Sequence, residues 1–265
     1  MAWLVDQGAD VDATGSYNHE SFVQLTPYCA AIFYRRARVA EFLRERGTQV
    51  DTHRAAFLGD LDQVSRNLAA QPGLIQAEDP HDPIFYVPLL SFAVVGGHTE
   101  MVAHLLHHGA QTAPYSAQLL GLAARDSRLD LIDLLVKGGA DPRAVGADIF
   151  VNTTDLEIFH YLLHRGASPS RRHENGFTPL IYVTRGDKGE HPEKIQLLLD
   201  YGAPVNDVGP KGRTALHYAA AGGFLRVIRL LLEHGADATV RDEAGNTPRD
   251  LALQRGKTAA AALIK

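Results

Sequence analysis

The sequence predicts an all-α solenoid of about seven helix-turn-helix repeats followed by a C-terminal capping repeat, on three observations. A leucine-rich helix end, two polar residues and then Gly-Ala recur along the chain. A Thr-Pro or Thr-Ala step opens several of the same units. Between them, apolar residues fall at helical spacing, as in Val227, Ile228, Leu230, Leu231 and Leu232.

The closing signature appears at Leu4 with Gly8-Ala9-Asp10, Leu105-Leu106 with Gly109-Ala110, and Leu134-Leu135 with Gly139-Ala140-Asp141. It continues at Leu162-Leu163 with Gly166-Ala167, Leu198-Leu199 with Gly202-Ala203, and Leu231-Leu232 with Gly235-Ala236-Asp237. A looser copy is Phe42-Leu43 with Gly47. The opening signature is Thr26-Pro27, Thr178-Pro179, Thr214-Ala215 and Thr247-Pro248, the last three starting 36 and then 33 residues apart. Threonine caps a helix by accepting from a free backbone N–H. Proline suits the first helical position, where its missing N–H costs nothing. The pairs Ala55-Ala56, Ala123-Ala124 and Ala219-Ala220 keep the first helix of a unit thin, so that neighbours approach closely. Gly59, Gly97 and Gly223 are expected to end that helix and permit the turn into the second.

This combination resembles the ankyrin repeat, and the resemblance covers nearly the whole chain. Its most faithful unit runs from Gly212 through Leu216, His217, Leu230 and Gly235 to Asp237. The resemblance implies a single domain over 1–265: residues 1–10 as the tail of an incomplete first repeat, 11–242 as repeats and 243–265 as a C-terminal cap. Trp3 and Leu4 align with the end of a second helix whose partner helix is absent: either sequence is missing upstream, or these residues cover the first complete unit. In this family a β-turn finger joins one Gly-Ala to the next helix pair. Here the fingers are irregular or shortened: brief between Gly47 and Thr52 and between Gly139 and Ala147, and long between Gly8 and Tyr28, where Tyr17, His19 and Phe22 fall. A separate insertion, Arg185 to Pro192, lengthens the turn between two helices.

Family partners commonly touch the finger tips and the end of each first helix. Carried onto this chain, that implies Phe33 and Tyr34, Phe57 and Leu58, Val95, Arg125 and Asp126, Asn152, Thr153, Arg185, and finally Gln254 and Arg255. Phe22 joins them from the long finger, and Ile84, Phe85 and Tyr86 from the finger before Leu89. The first half of this surface reads apolar and aromatic, the second half polar. With their preceding finger nearly absent, Phe57 and Leu58 are equally placed to fold inward and fill the vacant space.

The resemblance thus implies a non-enzymatic adaptor, scaffold or inhibitor that holds a protein or peptide in a concave groove. A small-molecule or catalytic groove, served by Arg125, Asp126, Asn152 and Arg185, is the alternative. A third reading makes the repeats one module of a longer protein.

Composition and motifs narrow the remaining classes. The net charge of −5 gives no whole-chain reason to bind nucleic acid or an acidic membrane, and neither partner is expected. No apolar run approaches the roughly 18 residues of a spanning helix, and the start lacks a signal-peptide pattern. A cytoplasmic monomer is the default expectation. One cysteine, Cys29, excludes an intrachain disulfide and a thiolate zinc cluster. It is expected on a first helix as a structural thiol. No nucleophile motif or phosphate-binding loop appears, so no catalytic residue and no cofactor is expected. His104, His107 and His108 line one side of a helix, but the repeat pattern puts the last two at its solvated end, and no metal is expected. The arginines at 35, 36, 38, 44 and 46, interspersed with Glu41 and Glu45, read as a solvated charged face.

Overall fold

The computed structural model describes residues 9–11, 13, 26–33, 36–78, 88–153, 155–185 and 189–264. Trp3, Leu4, Tyr17, His19, Phe22, Tyr34, Ile84, Phe85 and Tyr86 lie outside them. For Phe33 and Asn152 the backbone alone is described.

Eight successive pairs of α-helices form, and no strand occurs among the described residues. The pairs are α1 Pro27–Phe33 with α2 Ala37–Glu45, α3 Thr52–Leu58 with α4 Leu61–Ala70, and α5 Leu89–Gly96 with α6 Thr99–His107. Next come α7 Ser116–Arg125 with α8 Leu129–Lys137 and α9 Ala147–Asn152 with α10 Leu156–His164. The last are α11 Pro179–Arg185 with α12 Pro192–Asp200, α13 Ala215–Gly222 with α14 Leu225–Glu233, and α15 Pro248–Gln254 with α16 Thr258–Leu263. Each pair has the helix-turn-helix form that the recurring signatures predict. The chain divides into two compact units, Met1–Tyr115 with Asp130–Ala140, and Ser116–Leu129 with Asp141–Lys265.

Local chemistry sets the helix ends. Thr26 and Thr178 accept from the N–H groups of Cys29 and Ile181, each at 3.3 Å. Thr247 and Asp250 form a reciprocal capping box at the start of α15. At α3 the cap is Asp51, which accepts from Arg54 N–H at 2.8 Å. Gly59, Gly97 and Gly223 adopt left-handed φ values of 77°, 75° and 76° as their first helices end, a conformation that penalises any Cβ.

In the first unit, α1, α3 and α5 lie side by side. Ala55 and Ala56 are fully buried. At Gly96 the approach is closer still: a Cβ there would stand 2.2 Å from the Phe57 carbonyl oxygen. Cys29 is likewise fully buried, and burial pushes its thiol up to about 11, far from a reactive thiolate at neutral pH.

In the second unit, α7, α9, α11, α13 and α15 form one row of neighbours, and α10, α12, α14 and α16 a row behind it. Val227, Ile228 and Leu231 of α14 are buried between the rows. Full burial of such a side chain stabilises by about 1.5–3 kcal/mol. Helix α9 departs from the pattern: its C-cap is Thr153 in an extended conformation, not a glycine. A cation closes it instead. Lys194 of α12, nearly buried, donates to the carbonyls of Phe150 at 3.3 Å and Thr153 at 2.5 Å. Those carbonyls carry the negative end of the helix dipole and compensate the buried charge.

Candidate functional site

Three fingers of the second unit are fully described, and each is closed by a backbone bond across its turn. His173 N–H donates to the Phe177 carbonyl at 2.8 Å, Gly209 to Arg213 at 2.8 Å, and Asp242 to Asn246 at 2.9 Å. The turns demand left-handed residues, supplied by Gly176, Gly212 and Gly245, with Lys211 at φ 62°.

Arginines tie each finger to the next. Arg172 donates to the carbonyls of Gly176 and Val208 and pairs with Asp207 at 3.2 Å. Arg213 pairs with the buried Asp242 at 3.0 Å, and Glu243 N–H reaches the Lys211 carbonyl at 3.0 Å. Burial would raise the Asp242 carboxyl, but Asn246 N–H, Arg213 and Ala244 N–H outweigh it and hold the group below its ordinary value. The result is a ledge of three fingers with fixed spacing.

Behind the ledge stands a cluster of rings. Phe177, the last residue before the Thr178 cap, meets Tyr182 of α11 edge-on at 5.8 Å and Tyr218 of α13 at 6.1 Å. His173 meets Tyr182 at 5.4 Å. Arg185, at the end of α11, is exposed and lies 4.3 Å from the centroid of Phe177 and 5.9 Å from that of Tyr182. Burial raises the Tyr218 phenol, against the pull of Arg213 and Arg185, so its hydroxyl stays a neutral donor at neutral pH. Val208 on the middle finger is 45% exposed. Arrangements of rigid aromatics with an arginine are typical anchors of protein interfaces.

The other sequence-predicted residues fall in varied settings. Arg125 and Asp126 pair with each other at 3.0 Å where α7 ends. Thr153 is buried at the end of α9. Gln254 donates to the Asn246 side chain at 2.7 Å, beside Leu253, which is 53% exposed. In the first unit Leu58 is half-buried, while Phe57 and Val95 are 2% and 5% exposed and fill its core. Arg54, which sequence reasoning passed over, is fully buried there, bonded to its own cap Asp51 at 3.1 Å and 5.1 Å from the Phe92 centroid. Also missed were Phe177, Tyr182 and Tyr218. One signal was available: Phe177 places a ring where the equivalent positions, Arg213 and Asn246, are polar.

The histidines behave as the repeat pattern implies. His107 and His108 are exposed at the end of α6, and His104 bonds the Ser65 hydroxyl at 3.1 Å. His217 is buried, its Nδ1 3.2 Å from the Thr214 N–H and 2.9 Å from the Thr214 hydroxyl, its Nε2 3.2 Å from the Asn246 carbonyl. Among the described residues no group of three histidine, cysteine or acidic side chains is placed to hold a metal ion. None of the helices there is long and apolar enough to cross a membrane. A shallow depression of about 620 Å³ lies on the second-helix row, between Leu156, Leu197 and Leu230, with Glu193 and Arg226 paired at 2.9 Å on its rim.

Comparison with known proteins agrees with this geometry. A family model described as ankyrin repeats, in three copies, matches residues 149–242. The ankyrin repeat protein nuc-2 of Neurospora crassa is 31% identical over 199 residues, covering 74% of this chain and 16% of that protein. Palmitoyltransferase ZDHHC13 of Mus musculus is 31% identical over 179 residues, covering 63% of this chain and 28% of that protein. With so small a share of the transferase matched, its activity is not carried to this chain. Among solved structures, the ankyrin repeat domain of Bcl-3, a member of the IkappaB protein family, superposes with a TM-score of 0.66 at 27% identity. It covers 82% of this chain and 99% of that domain.

Proposed function

The chain belongs to the ankyrin-repeat family, and from that premise we propose that it is a protein-interaction module, an adaptor or inhibitor that binds a protein or peptide segment on the finger face of its second unit. The observation that carries this reading is the ledge of three tied fingers backed by Phe177, Tyr182, Tyr218 and Arg185. Its backbone is fixed before binding, so little ordering entropy opposes association. Its rings offer large contact area with few rotatable bonds. Charged pairs along the rim, such as Arg172 with Asp207, would tune recognition more than affinity. The curated relatives are several times longer than the stretch they share with this chain, which suits repeats that serve as a module.

Site-specific photocrosslinking tests this. A photoreactive phenylalanine at Tyr182 or Val208 should trap a discrete partner in cells, whereas the same group at Arg229, on the second-helix row, should not. Equal trapping from both positions, or trapping from Arg229 alone, would move the interface off the finger face.

A further inference from the structure

The arginines of the finger face are not equivalent. Arg172 and Arg213 each hold a carboxylate, Asp207 and Asp242. Arg241 is turned onto the Gly245 carbonyl at 2.8 Å. Arg185 has only rings: its guanidinium sits over Phe177 and beside Tyr182, and no hydrogen bond or ion pair engages it among the described residues. A guanidinium stacked on a ring keeps its N–H edge outward, and that edge matches a carboxylate with two parallel bonds. The ring beneath displaces water from one face, which strengthens any charge-assisted bond made at the edge.

The surroundings add a second requirement. Phe177 is nearly buried and in contact distance of the turn at Gly209, whose added Cβ would stand 3.6 Å from the ring. The residue before Gly209 in that turn is the exposed Val208. An occupant therefore meets one open cation at the end of α11 and an apolar step on the middle finger.

We infer that Arg185 is the anchor for one acidic side chain of a bound peptide, an Asp or Glu carboxylate next to an apolar residue. This rests on the proposed interaction face and narrows its partner class. Phosphate chains fit less well, because the flanking arginines are already neutralised by Asp207 and Asp242 and a nucleic acid presents charge at every step.

A display library of random twelve-residue peptides, selected on the full chain and on Arg185→Gln, Arg185→Lys and Val208→Glu variants of unchanged melting temperature, provides the test. Wild-type selections should enrich Asp or Glu beside an apolar residue, and Arg185→Gln should abolish that enrichment. Arg185→Lys, which keeps the charge but not the planar fork, should retain only part of it. For the best peptide, changing its acid to the amide should weaken binding about tenfold or more on the wild type and hardly at all on Arg185→Gln. Acid enrichment that survives Arg185→Gln overturns the anchor. So does a set of peptides sensitive to Val208→Glu but without acidic preference, which would leave the finger face standing as the interface. Peptides indifferent to every one of these variants, or no peptide recovered above an unrelated bait, would overturn the face itself.

Discussion

The site around His217 accepts a neutral imidazole and resists a charged one. A backbone N–H can only donate, so the Thr214 N–H fixes Nδ1 as the acceptor, and Nε2 carries the proton toward the Asn246 carbonyl. Desolvation by burial lowers its proton affinity below the ordinary 6.5, against the raising effect of the Asn246 carbonyl and Asp242. Between 6.5 and the lower folded value, the unfolded chain therefore binds more protons than the folded one. Stability from this group is full above pH 6.5 and declines as pH falls toward the folded value. His217→Asn should lower the melting temperature at about pH 8, where the bonds are lost, and flatten its fall below about pH 6.5. An equal slope in both proteins would show that His217 does not carry this dependence. Lys194 makes the complementary case of a buried donor held by two carbonyls. Lys194→Met keeps the stem but leaves the Phe150 and Thr153 carbonyls without their donor, and should cost about 2–4 kcal/mol in urea unfolding.

Two glycines separate helix propensity from helix packing. Gly121 lies inside α7 with nothing within 4 Å of an added Cβ, so Gly121→Ala should stabilise the protein by up to about 1 kcal/mol. Gly96 ends α5 with the Phe57 carbonyl 2.2 Å from that Cβ position, so Gly96→Ala must push α3 and α5 apart and should destabilise by about 1–3 kcal/mol or more. Thermal melts of the two variants should move in opposite directions. The same contrast explains what the sequence made legible. Helix starts and stops are local signals, and Thr178, Thr247, Gly59 and Gly223 announce them within a few residues. Which face of a first helix looks outward is not local. From Leu89 through Val95 every residue of α5 is buried, so no polar stripe distinguishes Val95 as core or surface. Arg54 and Lys194 look like surface charges until the neighbouring unit arrives to bury them. The ring cluster joins Phe177 to Tyr218, 41 residues on, and only stacking of successive units brings them together.

Within each compact unit, helices pack on their own partner or on the like helix of the adjacent repeat. Stability in such an array is approximately a sum over units and nearest-neighbour interfaces, so damage should spread along the chain and fade. Leu231 is fully buried in α14, where α14 meets α12, α13 and α16. Leu231→Ala opens a cavity there and should cost about 2–5 kcal/mol. Amide hydrogen exchange resolves where that loss is felt. Amides of α13 to α16 should exchange faster by a large factor, those of α11 and α12 by a smaller one, and those of α3 to α6 at the wild-type rate. Such a gradient would mean that the C-terminal units open without the rest, and that the finger face around Phe177 and Tyr218 depends on the units beside it for its rigidity. Uniform acceleration from α3 to α16 would instead show one all-or-none unfolding event, with coupling along the array stronger than a nearest-neighbour sum allows.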